Sequence, residues 1–133
     1  MTREGGCFCG ALRYVVTGEP KNVTHCHCLH CRRLGGAPFV TWATFDPRDF
    51  RYIKGKPATL ESRPGVTRSF CRDCGSPIAY KAVELPDEID LTAGTLDDPE
   101  TVKPIDHVWT DRLISWVHLD DGLPRYGRRR SDG

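Results

Sequence analysis

The chain has 133 residues, room for one domain with one modest core, and carries a formal net charge of +1. That balance gives no global pull toward nucleic acid or an anionic membrane surface. No stretch approaches the roughly 18 apolar residues of a membrane span, and the opening MTREGGCFCG has no hydrophobic run, so neither a span nor a signal peptide is expected and the reducing cytosol is the expected compartment.

In chain order the predicted elements are mostly short strands: residues 11–19, 39–45, 49–55, 58–63, 67–70, 77–82 and 88–96. Each is rich in β-branched and aromatic residues and bounded by Gly, Pro, Asp or Asn. One or two helical turns are expected from Leu29 to Leu34, stopped by Gly35-Gly36, a pair that would equally let a ligand approach the backbone. Residues 109–119 fit strand and short helix equally badly. Thirteen glycines and ten prolines argue against long elements, and no repeat or linker divides the chain. The reading is a mainly β fold, one domain over residues 1–126, followed by a flexible basic tail over 127–133. The arginines of that tail read as a solvated end, not a nucleic-acid arm.

Seven cysteines carry the chemistry, in three groups: Cys7-Phe-Cys9-Gly, Cys26-His-Cys28-Leu-His-Cys31 and Cys71-Arg-Asp-Cys74-Gly. An odd count in tight clusters points to metal ligation in a reducing compartment, not to a disulfide framework. The outer pairs are alike, each followed at once by a glycine that lets the chain turn and its amides approach the thiolates. Cys7, Cys9, Cys71 and Cys74 together make the closed tetrahedral set of a structural zinc. Cys26, Cys28 and Cys31 are three ligands with no cysteine left to close the set, which describes a second zinc with an open position. His25, His27 or His30 could instead close it. Three thiolates weaken Zn²⁺ as a Lewis acid but leave it able to hold a further soft ligand such as a substrate thiolate. Arg32 and Arg33 follow the last ligand directly and suit carboxylates, so a small thiol bearing carboxylates is the expected substrate class.

At this point GGCFCGALRY, CHCLHCRRLGGAPF, SFCRDCGSPIAY, GTLDDP and HVWTDRLISWVHLDDGLPRY together resemble the glutathione-dependent formaldehyde-activating enzyme family, also called the centromere protein V/GFA domain, over residues 5 to 126. The resemblance implies an Mss4-like "β-tent" of small antiparallel sheets clipped by a structural zinc, with two zinc ions in all. It gives Cys7, Cys9, Cys71 and Cys74 to the structural ion and Cys26, Cys28 and Cys31 to the catalytic one. It further implies a carbon–sulfur lyase/synthase that joins glutathione and formaldehyde into S-(hydroxymethyl)glutathione. In that setting His27 or His30, or water, would supply a proton to the adduct oxygen, and Arg32 and Arg33 would hold the glutathione carboxylates.

The remaining expectations are plainer. Trp42, Trp109 and Trp116 read as core aromatics before pocket walls, and His107 and His118 as satisfied structural histidines. Asp97 and Asp98 read as caps of backbone amides in a turn. The competing functions are a two-zinc thiol carrier or protein-docking module without turnover, an iron–sulfur protein, and a B-type methionine sulfoxide reductase. The last needs a late nucleophilic cysteine, and no cysteine follows Cys74.

Overall fold

A computed structural model describes residues 1–132. Among them the chain forms ten strands in two sheets and one α-helix. Strands β1 (Thr2–Gly6), β2 (Arg13–Thr17) and β5 (Phe50–Lys54) make a three-stranded antiparallel sheet in the order β1-β2-β5. The second sheet has seven strands in the order β10-β3-β4-β9-β8-β7-β6. Its members are β3 (Asn22–Cys26), β4 (Val40–Phe45), β6 (Ala58–Arg63), β7 (Val66–Phe70), β8 (Pro77–Ala82), β9 (Ile89–Thr92) and β10 (Asp106–Val108). All pairs are antiparallel except β10 with β3. The fold is therefore mainly β and antiparallel, with Cys7, Cys9, Cys71 and Cys74 brought together from both sheets. No helix among the described residues is long and apolar enough to cross a membrane.

Period-2 alternation decides which face of the large sheet does what. Val23, Ala43, Leu91 and Ala79 lie opposite one another across four strands. They pack with Tyr14 and Val16 of the small sheet and Leu12 just before β2 as the main core. One residue along, Asn22, Thr44, Asp90, Tyr80, Arg68 and Leu60 form a second row across six strands, and this row points to the opposite face. A one-residue offset thus separates the apolar core from a largely polar working surface.

The helix α1 (Leu29–Gly35) forms where the spacing predicts it. Cys28 caps its start, its Sγ accepting from the Cys31 N–H, and Gly36 ends it in the left-handed region at φ 60°, where a Cβ would be strained. Strands β6 and β8 match the expected residues. The segment 88–96 is a strand only to Thr92, because a 3₁₀ turn over Ala93–Thr95 follows. Residues 109–119 hold a 3₁₀ turn at Thr110–Arg112 and a second turn closed by the Val117 N–H donating to Ile114 O at 2.9 Å. Asp98 caps as expected, accepting from the Glu100 N–H, but Asp97 does not: both its oxygens take the Arg13 guanidinium.

The C-terminal segment differs from the expected loose tail. The His107 N–H donates to Pro124 O and the Tyr126 N–H to His107 O, both at 2.9 Å, and the Trp109 N–H donates to Arg128 O at 2.9 Å. Residues 124–128 therefore extend the sheet beside β10, and a boundary at 126 would cut through this ladder. Arg130 then bonds the buried carboxylate of Asp106, which also accepts from Thr24 Oγ1 at 2.5 Å. Burial alone would raise the Asp106 carboxyl, but Arg130 and Thr24 outweigh it and hold it below its ordinary value. Such a group stabilises the fold above the ordinary carboxylate range and loses that contribution as pH falls. Arg130→Met should therefore cost about 2 kcal/mol at neutral pH, discounted for the partly exposed guanidinium. Urea unfolding of both proteins checks it, and the gap should narrow in acid.

Candidate metal centres

The turn between β1 and β2 carries Cys7 and Cys9, and the turn between β7 and β8 carries Cys71 and Cys74. Gly10 and Gly75 follow the second cysteine of each pair, both at φ 81°, so the two turns bend alike. Their amides do what the spacing suggests: Leu12 N–H donates to Cys7 Sγ at 3.2 Å and Asp73 N–H to Cys71 Sγ at 3.4 Å. The four sulfurs lie within 4.8 Å of one another, and Cys9 Sγ stands 3.7 Å from both Cys7 Sγ and Cys71 Sγ. Metal–sulfur bonds of about 2.3 Å in a tetrahedron place sulfurs about 3.8 Å apart. The separations fit one shared ion and are far too long for disulfides. This cluster joins a hairpin of the small sheet to a hairpin of the large one.

Cys26 ends β3, Cys28 caps α1 and Cys31 lies one turn inside it, which brings the three sulfurs within 4.8 Å. Trp42, Val108, Val40, Tyr80, Trp109 and Tyr126 pack around them as a small second cluster. The Trp42 indole N–H donates to Cys31 Sγ at 3.4 Å. Shared hydrogen bonds with Cys26 and Cys31 pull the Cys28 thiol well down, and the same sharing pushes Cys26 up. One thiolate thus forms readily and the others need a cation to follow.

The histidines stand elsewhere. Cys26 shares a face with Thr24 and Asn22, so His25 must point to the other side of the sheet. There His25 stacks on His107 with ring centroids 4.7 Å apart, and His27 Nε2 meets His107 Nδ1 at 3.0 Å. His107 Nε2 in turn reaches Asp121 at 2.7 Å. Burial holds His27 neutral, its pKa pushed down to about 4. His27 is therefore not placed to protonate a ligand over the three cysteines. His25, His107 and Asp121 bring ligand atoms within 4.8 Å, but the two rings stack at 27°, so one ion cannot lie in both ring planes. His107 is the satisfied structural histidine expected, whereas His118 is exposed.

His30 does border the three-cysteine group. It lines a cleft of about 600 Å³ whose wall includes Cys26, Cys28 and Cys31. Arg32 and Arg33 border neither this cleft nor its neighbour, because they lie in the last turn of α1, Arg33 exposed. The cleft's cations come from distant strands and loops instead: Arg63, Arg68, Arg112, Arg129 and Arg130. The Arg68 guanidinium lies 5.8 Å from the Trp42 ring centroid and 5.0 Å from that of Tyr80. Trp109 also lines the cleft, in the left-handed region at φ 57°, a conformation that costs about 1–3 kcal/mol in a non-glycine residue. Trp116, expected in the core, is 66% exposed and lines neither cavity.

Asp90 was not foreseen. It is largely buried in the cleft wall, accepts from Thr44 Oγ1 at 2.5 Å, and burial pushes its carboxyl up to about 6, helped by Glu88 and opposed by Thr44 and Arg68. A lone acid in a strand gives no local sign of this; only the cross-strand row reveals it.

These features define a small β protein with one closed four-thiol centre and one open three-thiol centre facing a cationic cleft. A family model described as glutathione-dependent formaldehyde-activating enzyme matches residues 2–112, and the chain belongs to that family. A curated relative from Halomonas elongata, named "Putative glutathione-dependent formaldehyde-activating enzyme", is 26% identical over 133 aligned positions, covering 90% of this chain and 82% of that one. A crystal structure of a Rhodobacter sphaeroides protein has the same fold, with a TM-score of 0.60 at 22% identity over 92% of this chain and 98% of the other.

Elemental analysis should find up to two metal ions per chain. Cys28→Ser should lose one while melting near wild type, because the second cluster holds no distant elements together. Cys71→Ser should lose the other and unfold at a far lower temperature. For Asp90, a carboxyl held above its ordinary value costs stability as pH rises toward 6, and the full cost, at most about 3 kcal/mol, applies above it. Asp90→Asn should therefore raise the urea midpoint at pH 7.5, and the gain should shrink as pH falls toward 5.

Proposed function

We propose that this protein joins glutathione and formaldehyde into S-(hydroxymethyl)glutathione, or splits that adduct, at the three-cysteine cluster, as a zinc-dependent carbon–sulfur lyase/synthase. The observation that carries the reading is the opening of an incomplete thiolate set, Cys26, Cys28 and Cys31, onto a cationic cleft. Zinc suits both clusters by ligand type, and at the open one it would favour a further thiolate by lowering that thiol's pKa. Cys26, Cys28 and Cys31 would hold the open-site ion and Cys7, Cys9, Cys71 and Cys74 the closed one. The reducing cytosol would keep all seven thiols free.

The chain's own residues do the rest. Arg68, braced on Trp42 and Tyr80 and bonded to Ser62 Oγ at 3.3 Å, presents a preorganised guanidinium to a glutathione carboxylate. Arg63 and Arg112 offer further cations along the same wall. Glu88 faces the cleft and suits the substrate's ammonium group. When sulfur adds to the aldehyde carbon, the carbonyl oxygen takes a proton, and His30 or the Asp90 carboxyl supplies it within the cleft. The loop between Cys26 and Cys28 is fixed instead by the backbone N–H of His27, which donates to Val108 O at 3.1 Å.

Magnetisation-exchange NMR on glutathione with ¹³C-formaldehyde tests this. The zinc-loaded protein should speed exchange between free aldehyde and adduct, and Cys28→Ser should not. Arg68→Gln should weaken glutathione binding about tenfold while leaving the metal in place. No acceleration with the loaded wild type would leave a thiol carrier or docking module as the reading.

A further inference from the structure

The open cysteine centre faces two cavities. One is the polar cleft of about 600 Å³; the other is an apolar chamber of about 310 Å³ walled by Leu34 of α1, Val40 of β4, Leu60 of β6 and Phe70 of β7. Cys31, Trp42 and Arg68 line both, so the partition between them stands beside the thiolates. Leu34 and Leu60, each 43% exposed, form the chamber's outer rim.

Formaldehyde does not explain this space. With one carbon and one oxygen it is close to water in size, and a water occupies about 30 Å³ in the liquid, roughly a tenth of the chamber. The volume lies at the lower end of small-molecule sites, which span about 300–1,000 Å³. A zwitterionic tripeptide belongs among the arginines and acids of the polar cleft. What remains for the apolar side is whatever hangs from the aldehyde carbon.

Building on the glutathione reading above, we propose that the chamber receives the hydrocarbon substituent of an aldehyde larger than formaldehyde, so that the substrates are hemithioacetals of aliphatic aldehydes. In the addition the thiol S–H bond breaks, an S–C bond forms to the aldehyde carbon, the C=O π pair moves to oxygen, and that oxygen takes the proton. Nothing is oxidised or reduced.

Isothermal titration of the zinc-loaded protein with S-methylglutathione and S-hexylglutathione tests the chamber without turnover. Each buried methylene is worth about fourfold in affinity. The hexyl compound should bind at least tenfold tighter, and Leu60→Trp, which fills the chamber from its rim, should reduce that ratio toward one. Methyl and hexyl compounds binding within threefold of each other would overturn the chamber while leaving the glutathione reading intact. If neither binds, hexanethiol against ethanethiol decides: a tenfold preference abolished by Leu60→Trp would keep the chamber and overturn glutathione, and no preference would overturn both.

Discussion

The four-thiol cluster is the constraint on which the rest of the structure depends. Cys7 and Cys9 sit at the tip of a small-sheet hairpin, Cys71 and Cys74 at the tip of a large-sheet hairpin, and their sulfurs converge within 4.8 Å. Loops of such length, closed covalently, are worth about 4 kcal/mol in lost chain entropy. An ion shared by four thiolates would close the same loop and add its own binding free energy. The core between the sheets is modest, and the Arg3 side chain within it is itself buried, bonded to Gly18 O at 2.8 Å and Thr101 Oγ1 at 3.0 Å. A small core that also buries a guanidinium leans on its clip.

With the sheets pinned, alternation along β3 distributes the chemistry. Val23 and His25 go to one face, Asn22, Thr24 and Cys26 to the other. The side that begins as core at Val23 becomes a histidine network at His25, His27, His107 and Asp121. The side that carries Cys26 becomes the cleft. The network and the cleft thus share a backbone but not a space.

Much of this was legible. The cysteine spacing alone separates a closed set from an open one, and the helix, β6 and β8 follow from their residues. The cleft's polar wall was not legible, because Arg68 and Asp90 lie on β7 and β9 and meet only through a register set by the whole sheet. Adjacency misled twice. Arg32 and Arg33 follow Cys31 in sequence, but a helix turns them away from the sulfurs. His27 lies between two ligands, yet alternation sends it behind them. The H-C-H-C pattern of residues 25–28 already held that information, since period 2 places its histidines and cysteines on opposite faces. The strands β1, β3 and β10 were missed: the glycines of β1 and the brevity of β10 leave no pattern to read, and the five residues of β3 run straight into the cysteine cluster.

Trp42 makes the last connection. Its position on β4 puts it opposite Thr24 and Thr92, in the middle of the large sheet, where its ring reaches both cavities. It donates to Cys31, carries the Arg68 guanidinium, and packs at 6.0 Å against Tyr80. One buried side chain therefore fixes a thiolate's hydrogen bond, a cation's orientation and the wall between a polar and an apolar space. A smaller residue there would remove the wall the two cavities share and leave the guanidinium to Tyr80 and Ser62 alone. On the proposed reading, discrimination between the charged and uncharged ends of a substrate would rest on the same indole that donates to the sulfur.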